Sequence, residues 1–207
     1  MSAGPGGRAA KRMLDVVASG LGLVLLSPLF VAVALWIRLD SAGPVFFRQE
    51  RVGRGGRPFR IHKFRTMRSE REPAGAALTI GADPRITRAG DFLRRFKIDE
   101  LPQLIDVLVG DMSLVGPRPE VARYVAAYPP ELRAKVLSVR PGITDPASLQ
   151  FSDESSLLAR AADPEREYLE VVLPAKLRLA ADYVERASFV GDLCLIWRTL
   201  GLLAGRR

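Results

Sequence analysis

The sequence predicts an α+β fold: a helix-rich single domain with a small basic β-hairpin, a re-entrant membrane helix and C-terminal interfacial helices. Three observations carry this. Between Asp15 and Arg38 no residue is charged, and Leu, Val and Ala dominate. Residues 45–60 alternate short apolar and basic runs around Gly55-Gly56. The last third carries apolar residues at helical spacing. At 207 residues, with 48% hydrophobic and 26% charged residues, the chain can bury one core without cross-links and is neither disordered nor fibrous.

Residues 1–10 are rich in Gly and Ala and are expected to be disordered. The apolar run from Met13 to Ile37 follows. Its uncharged part would reach ~33 Å as a helix, enough to cross a bilayer core. A cleaved signal peptide is disfavoured, because the run is too long and Leu35-Trp36-Ile37 continues past Ala32-Val33-Ala34. A straight span fits the length but not the charges. Arg8, Lys11 and Arg12 precede the segment, and Arg38, Arg48, Arg51 and Arg54 follow it, so both ends belong on the cytoplasmic side. A helical hairpin over residues 11–38 satisfies both ends. Ser27-Pro28 is its break: proline removes a backbone donor, and the Ser27 hydroxyl can bond a neighbouring carbonyl.

Residues 39–207 are expected to form a cytoplasmic domain. Ser41-Ala42-Gly43-Pro44 is turn chemistry, and Val45-Phe46-Phe47 opens the hairpin. Residues 43–72 hold nine Lys/Arg against three Asp/Glu, a basic surface suited to anionic headgroups. Residues 70–83 read as a mobile loop. Helices are predicted over Thr87–Phe96, over Pro102–Val109 with Leu101, Leu104, Ile105, Leu108 and Val109 as its apolar face, and over Glu131–Ser138. A final helical region runs from Pro164 to Leu203, interrupted at Pro174. In its last part Leu193, Ile196, Trp197, Leu200 and Leu203 form either a core stripe or an interfacial face.

A net charge of +8 predicts an anionic partner, whether nucleic acid, membrane surface or phosphorylated small molecule. One cysteine, Cys194, and one histidine, His62, exclude an internal disulfide and a Cys/His metal site, leaving hard cations on oxygen ligands such as Mg²⁺. His62 lies among cations in Arg60-Ile61-His62-Lys63 and reads as an ordinary strand residue.

The chemistry concentrates in Arg94-Arg95-Phe96-Lys97-Ile98-Asp99-Glu100-Leu101-Pro102-Gln103-Leu104. On helix physics alone Asp99 is an N-cap. The same placement suits a carboxylate that handles anions, kept ionised by the helix start and by Arg94, Arg95 and Lys97. Neighbouring helical residues point ~100° apart, so Asp99 and Glu100 are expected to have separate tasks. In Gly116-Pro117-Arg118-Pro119-Glu120 two prolines fix the backbone around one guanidinium, which suits bidentate phosphate recognition; the alternative is a Pro-rich turn with a surface arginine. Arg140-Pro141-Gly142 repeats the theme.

Six markers in order resemble the monotopic phosphoglycosyl transferases, bacterial sugar transferases that initiate exopolysaccharide, O-antigen and glycoprotein glycan assembly. They are Lys11-Arg12-Met13-Leu14-Asp15, Ser27-Pro28, the Gly43–Gly53 stretch, Lys63-Phe64-Arg65-Thr66-Met67, Asp99-Glu100-Leu101-Pro102-Gln103-Leu104 and Gly110–Pro119. The resemblance is to the minimal catalytic form of that family. It implies a location at the bacterial inner membrane with the catalytic domain on the cytoplasmic face. It implies Asp99 as a nucleophile that attacks a UDP-sugar, expels UMP and carries a phosphosugar adduct, which undecaprenyl phosphate then accepts. It also implies Mg²⁺ at Glu100, and phosphate contacts from Lys63, Arg65, Arg94, Arg118 and Arg140. Nucleic acid is not an expected partner, membrane lipid is, and homodimerisation is left open. The chain departs from the common pattern after Thr144, where Asp145-Pro146-Ala147-Ser148-Leu149 replaces a Gly and a Gln-Val-Asn-Gly-Arg-like run. The competing reading is a non-enzymatic basic module for membrane surfaces or nucleic acid, against which no nucleic-acid-binding signature is present.

Overall fold

The computed structural model describes residues 5–68 and 83–205. The chain opens with α1 (Pro5–Leu25) and α2 (Ser27–Asp40), bent by 60° where they meet. Residues 5–10 are therefore helical rather than disordered, while residues 1–4 and most of the loop expected over 70–83 lie outside the described residues. At the bend Pro28 sits in the first turn of α2 and the Ser27 hydroxyl donates to the Val24 carbonyl at 2.8 Å. Among the described residues no single helix is long and apolar enough to cross a membrane, whereas this bent pair is, taken together.

The hairpin follows as β1 (Phe46–Val52) and β2 (Pro58–Phe64), antiparallel from Phe46 opposite Phe64 to Val52 opposite Pro58. Gly55 and Gly56 take positive φ in the turn, as a tight connection requires. Helix α3 (Arg88–Arg95) starts on the Thr87 hydroxyl, which accepts from Gly90 N. A 3₁₀ turn, Ile98–Glu100, leads into α4 (Gln103–Val109). Next come β3 (Ser113–Val115), α5 (Ala122–Ala126), α6 (Pro130–Val136) and β4 (Gly142–Thr144). β3 and β4 form a short parallel pair that sequence patterning missed, being three residues each. Their close approach depends on glycine, because a Cβ at Gly142 would lie 2.1 Å from Gly116 N.

The remainder is α7 (Pro146–Gln150), α8 (Glu154–Leu158), α9 (Pro164–Glu167), a π-helical turn at Tyr168–Val172, α10 (Leu173–Arg186) and α11 (Phe189–Ala204). The expected interruption at Pro174 is corrected. Proline occupies the first turn of α10, directly after the widened π turn, where its missing N–H is tolerated, and the chain leaves the helix at Ala187-Ser188 instead. α11 leaves Trp197 73% exposed, so its apolar stripe is not core.

Three apolar clusters hold the fold. Tyr124, Tyr128, Tyr168, Leu173 and Leu177 join α5 to α10. Val33, Ile37, Phe64 and Leu93 join α2, β2 and α3. Ile61, Val107 and Met112 place α4 against β2. The apolar face expected for α4 is also corrected. Gln103, Leu104, Asp106 and Val107 are buried, while Leu108 and Val109 are exposed, because this helix buries polar groups that have work to do on β2 and in the site.

Both arms of the helix pair are fastened to this one domain. From α1, Lys11 pairs with Asp192 and donates to the Val115 carbonyl at 2.9 Å. Arg12 donates to the Val107 and Leu108 carbonyls at 2.7 and 3.0 Å, and buried Asp15 accepts from Leu114 N and the Ser113 hydroxyl. At the far end of α2, the Asp40 carboxylate accepts from Ala89 N at 3.0 Å. Buried Arg65 forks onto the carbonyls of Ile37, Ser41 and Ala42 at 3.3, 2.7 and 2.9 Å. Arg65 satisfies the open carbonyls where α2 ends, while its Nε is buried without a partner among the described residues.

Replacing Arg65 with Lys keeps the charge but cannot reach three carbonyls. Hydrogen bonds to a charged group are worth roughly 1.5–3 kcal/mol. For a domain of this size that corresponds to a melting point lowered by roughly 3–12 °C, read by thermal unfolding in detergent.

Candidate active site

Two segments distant in sequence converge on one carboxylate, Glu100. β2 supplies Lys63, whose ammonium lies 2.8 Å from Glu100 Oε1. The loop after β3 supplies Arg118, whose guanidinium forks onto both oxygens of Glu100, with Nη1 to Oε2 at 3.2 Å and Nη2 to Oε1. The chain turns between α3 and the 3₁₀ segment at Lys97, the one non-glycine residue with positive φ (56°) among the described residues. That conformation costs on the order of 1–2 kcal/mol. It also turns the chain so that the Lys97 ammonium acts on both Asp99 and Glu100.

Asp99 and Glu100 are each 7% exposed, yet their electrostatics diverge. For Glu100, burial alone would raise the pKa, but Arg118 and Lys63 outweigh it and hold the carboxyl well below the usual range. Arg118 is pushed up in return, chiefly by Glu100. For Asp99, burial and then the Glu100 charge raise the pKa, opposed by Lys63, Lys97 and Arg94. The expectation that the helix start and the neighbouring cations keep Asp99 readily ionised is therefore corrected: desolvation and one adjacent anion win. Nor does Asp99 cap a helix. It lies inside the 3₁₀ turn, Pro102 precedes α4 without a side-chain cap, and Asp99 Oδ1 is buried with no hydrogen-bond partner among the described residues.

The sequence-predicted residues thus separate. Asp99, Glu100, Lys63 and Arg118 come together, and Arg94 acts on Asp99 electrostatically. Arg140 does not join them. Its Nε donates to the Gly110 carbonyl at 2.8 Å, where with Arg12 it satisfies the C-terminal end of α4, apart from the Asp99–Glu100 cluster. Ser27 and Pro28 stand at the helix break. His62 is a strand residue as expected, its ring Nδ1 2.6 Å from buried Asp106 and its backbone N–H 2.8 Å from the same carboxylate.

Sequence reasoning missed the residues that hold Arg118 in place. Asp145 accepts from Ser148 N at 2.7 Å, capping α7, and from the Arg118 backbone N–H at 3.3 Å. Glu120 accepts from the Tyr168 hydroxyl at 2.7 Å and meets Arg51 and Lys176 at 3.5 Å each. Arg51 also donates to the Pro119 carbonyl at 3.2 Å. The signal was available for Glu120, a carboxylate directly after Pro119, and for Asp145 at the departure from the common family pattern. Neither is singled out from sequence alone.

No group of three or more His, Cys, Asp or Glu side chains is placed to hold a metal among the described residues. The oxygens on offer are those of Asp99 and Glu100. Glu100 uses three acceptor positions on Lys63 and Arg118 out of about four that a carboxylate has. Together with the unengaged Asp99 Oδ1, that fits a hard cation which takes one or two carboxylates and fills its shell with water and phosphate oxygens.

The raised Asp99 pKa has a stability consequence. A carboxyl whose folded value exceeds its unfolded one favours the fold at low pH and loses that contribution as pH rises through the folded value. Asp99→Asn should therefore raise the melting point at neutral pH, with the difference shrinking as pH falls through the raised folded value and gone below about pH 4, the ordinary Asp range. Melting curves across pH check this.

Residues 6–206 match the bacterial sugar transferase family. Among similar proteins, a UDP-N-acetylgalactosamine-undecaprenyl-phosphate N-acetylgalactosaminephosphotransferase of Aeromonas hydrophila is 47% identical over 65% of this chain and 32% of its own length. A UDP-glucose:undecaprenyl-phosphate glucose-1-phosphate transferase of Caulobacter vibrioides is 42% identical over 92% of this chain and 68% of its own. The exopolysaccharide production protein PSS of Rhizobium leguminosarum bv. phaseoli is 38% identical over 92% of each chain. The chain thus spans about a third of the first relative, two thirds of the second and nearly all of the third.

Proposed function

Because the chain belongs to the bacterial sugar transferase family, we propose that it transfers a sugar-1-phosphate from a UDP-sugar to undecaprenyl phosphate, the initiating step of exopolysaccharide, O-antigen or related glycan assembly. The observation that carries this reading is the unpartnered, buried Oδ1 of Asp99 in a site whose other charged groups are cations or are neutralised by them. A resting carboxylate so placed costs stability and is set for a ligand.

In the first step Asp99 attacks the sugar-bearing phosphorus. An aspartyl–phosphorus bond forms, the bond to the bridging oxygen breaks, and UMP leaves with that oxygen and its electron pair. In the second step an oxygen of undecaprenyl phosphate attacks the same phosphorus and releases the Asp99 carboxylate. Charge neutralisation and alignment lower the barrier in such transfers. Lys63, Lys97 and Arg94 act on Asp99, and Arg118, fixed by its backbone to Asp145, presents a guanidinium to the donor phosphates. Mg²⁺ is proposed at Glu100, where it would offset the repulsion between a carboxylate and a diphosphate. The acid limb of activity should lie above the usual carboxylate range, since Asp99 must ionise before it attacks.

We further propose that α1 and α2 enter and leave the inner membrane from its cytoplasmic face, with the catalytic domain on that side. The 60° bend supports this, as do the arms fastened to one domain and the exposed apolar side chains Leu21, Val24, Leu25, Val31 and Leu35.

Detergent-solubilised protein with Mg²⁺ and a panel of UDP-sugars should release UMP, and intact mass should find the phosphosugar on Asp99. Asp99→Asn should abolish both, and undiminished UMP release in that variant sinks the nucleophile assignment. Glu100→Gln removes one of the two causes raising Asp99, so the acid limb of its residual activity should move to lower pH. For topology, cysteine at Leu39, which is 88% exposed, in a Cys194→Ser background should react with an impermeant maleimide in inverted membranes and not in spheroplasts.

A further inference from the structure

One polar side chain beside Asp99 has no task in the mechanism above. Gln103 opens α4 at 1% exposure, and its Nε2 is buried with no hydrogen-bond partner among the described residues. An amide donor left unpaired in the interior costs about 1–3 kcal/mol. Ile98–Glu100 is a 3₁₀ turn and α4 begins at Gln103, with Leu101 and Pro102 joining them, so Asp99 and Gln103 lie four residues apart across that junction. Asp106, three residues further along α4, meets His62 of β2, the strand that delivers Lys63 to Glu100. A buried acceptor without a donor, Asp99 Oδ1, and a buried donor without an acceptor, Gln103 Nε2, thus flank one short junction.

We infer that the Gln103 side-chain amide donates a hydrogen bond to a non-bridging oxygen of the phosphoryl group that Asp99 receives. The inference rests on the reading of Asp99 as the phosphoryl-accepting carboxylate. A phosphoryl group bonded to Asp99 would bring acceptor oxygens to the junction beside which the amide lacks one. The residue type fits the task. Lysine or arginine at 103 would pair with Asp99 in the resting enzyme and blunt it, whereas a neutral amide leaves the carboxylate free and still offers a donor as charge grows on the phosphoryl oxygens. Gln103 would then be a catalytic residue, distinct from the cations that hold Glu100.

Gln103→Met keeps the length and approximate volume of the side chain and deletes the donor. Three readouts test it in the full chain. Without substrate, the variant's melting point should equal or exceed that of wild type, since a buried orphan has been removed; a core hydrogen bond lost would lower it. Single-turnover UMP release should slow by about 10²-fold, the cost of removing one such donor, with the donor KM changed less than threefold. Inorganic phosphate should raise the melting point of wild type and do so less in the variant. UMP release within threefold of wild type, or a slowing that merely follows the folded fraction, overturns the inference. Wild type that shows the phosphate effect but never releases UMP defeats the transferase reading and leaves the phosphate donor standing. Neither effect in wild type defeats both.

Discussion

The arrangement turns on keeping Glu100 charged in a place that resists charge. Burying a lone carboxylate is prohibitive, so the fold brings Lys63 from the hairpin and Arg118 from the loop after β3 to the same group. Once Glu100 is locked as an anion, its neighbour cannot be an easy one. Asp99 inherits the repulsion as well as the desolvation, and Lys63, Lys97 and Arg94 offset them only in part. Two adjacent carboxylates in one environment thereby acquire opposite characters, one held firmly as an anion and one resisting ionisation.

The Arg118 fork works only if its backbone cannot drift. Pro117 and Pro119 restrict the chain on either side, and Asp145 and Glu120 hold that backbone to α7, β1 and α10. The helix-rich C-terminal third therefore shapes the Glu100 cluster without touching it: Tyr168, Lys176 and Asp145 fix the loop from behind.

Much of this was written plainly in the sequence. The Ser27-Pro28 break, the Gly55-Gly56 hairpin, the Thr87 start of α3 and the Asp99-Glu100 pair are signalled by local chemistry, and local chemistry decides them. What was illegible is long-range. Arg65, Arg118 and Arg140 look alike as arginines in basic stretches, yet one satisfies the end of α2, one grips Glu100 and one satisfies the end of α4. Periodicity also misplaced the face of α4, since the rule assumes that apolar residues go inside and this helix buries Gln103 and Asp106. The charges at Lys11 and Arg12 read as markers of membrane orientation, but they are bound in the domain by partners roughly a hundred or more residues away.

Arg12 belongs to a segment proposed to lie in lipid, and it grips the last carbonyls of α4, whose other end adjoins the reactive turn. Seven helical residues make a stiff spacer of ~10 Å. In the proposed orientation, the depth at which α1 settles in the bilayer sets the altitude of Asp99 above the headgroups. Thickening or thinning the membrane would then retune the reach between the nucleophile and an incoming lipid phosphate, with no residue of the site changed.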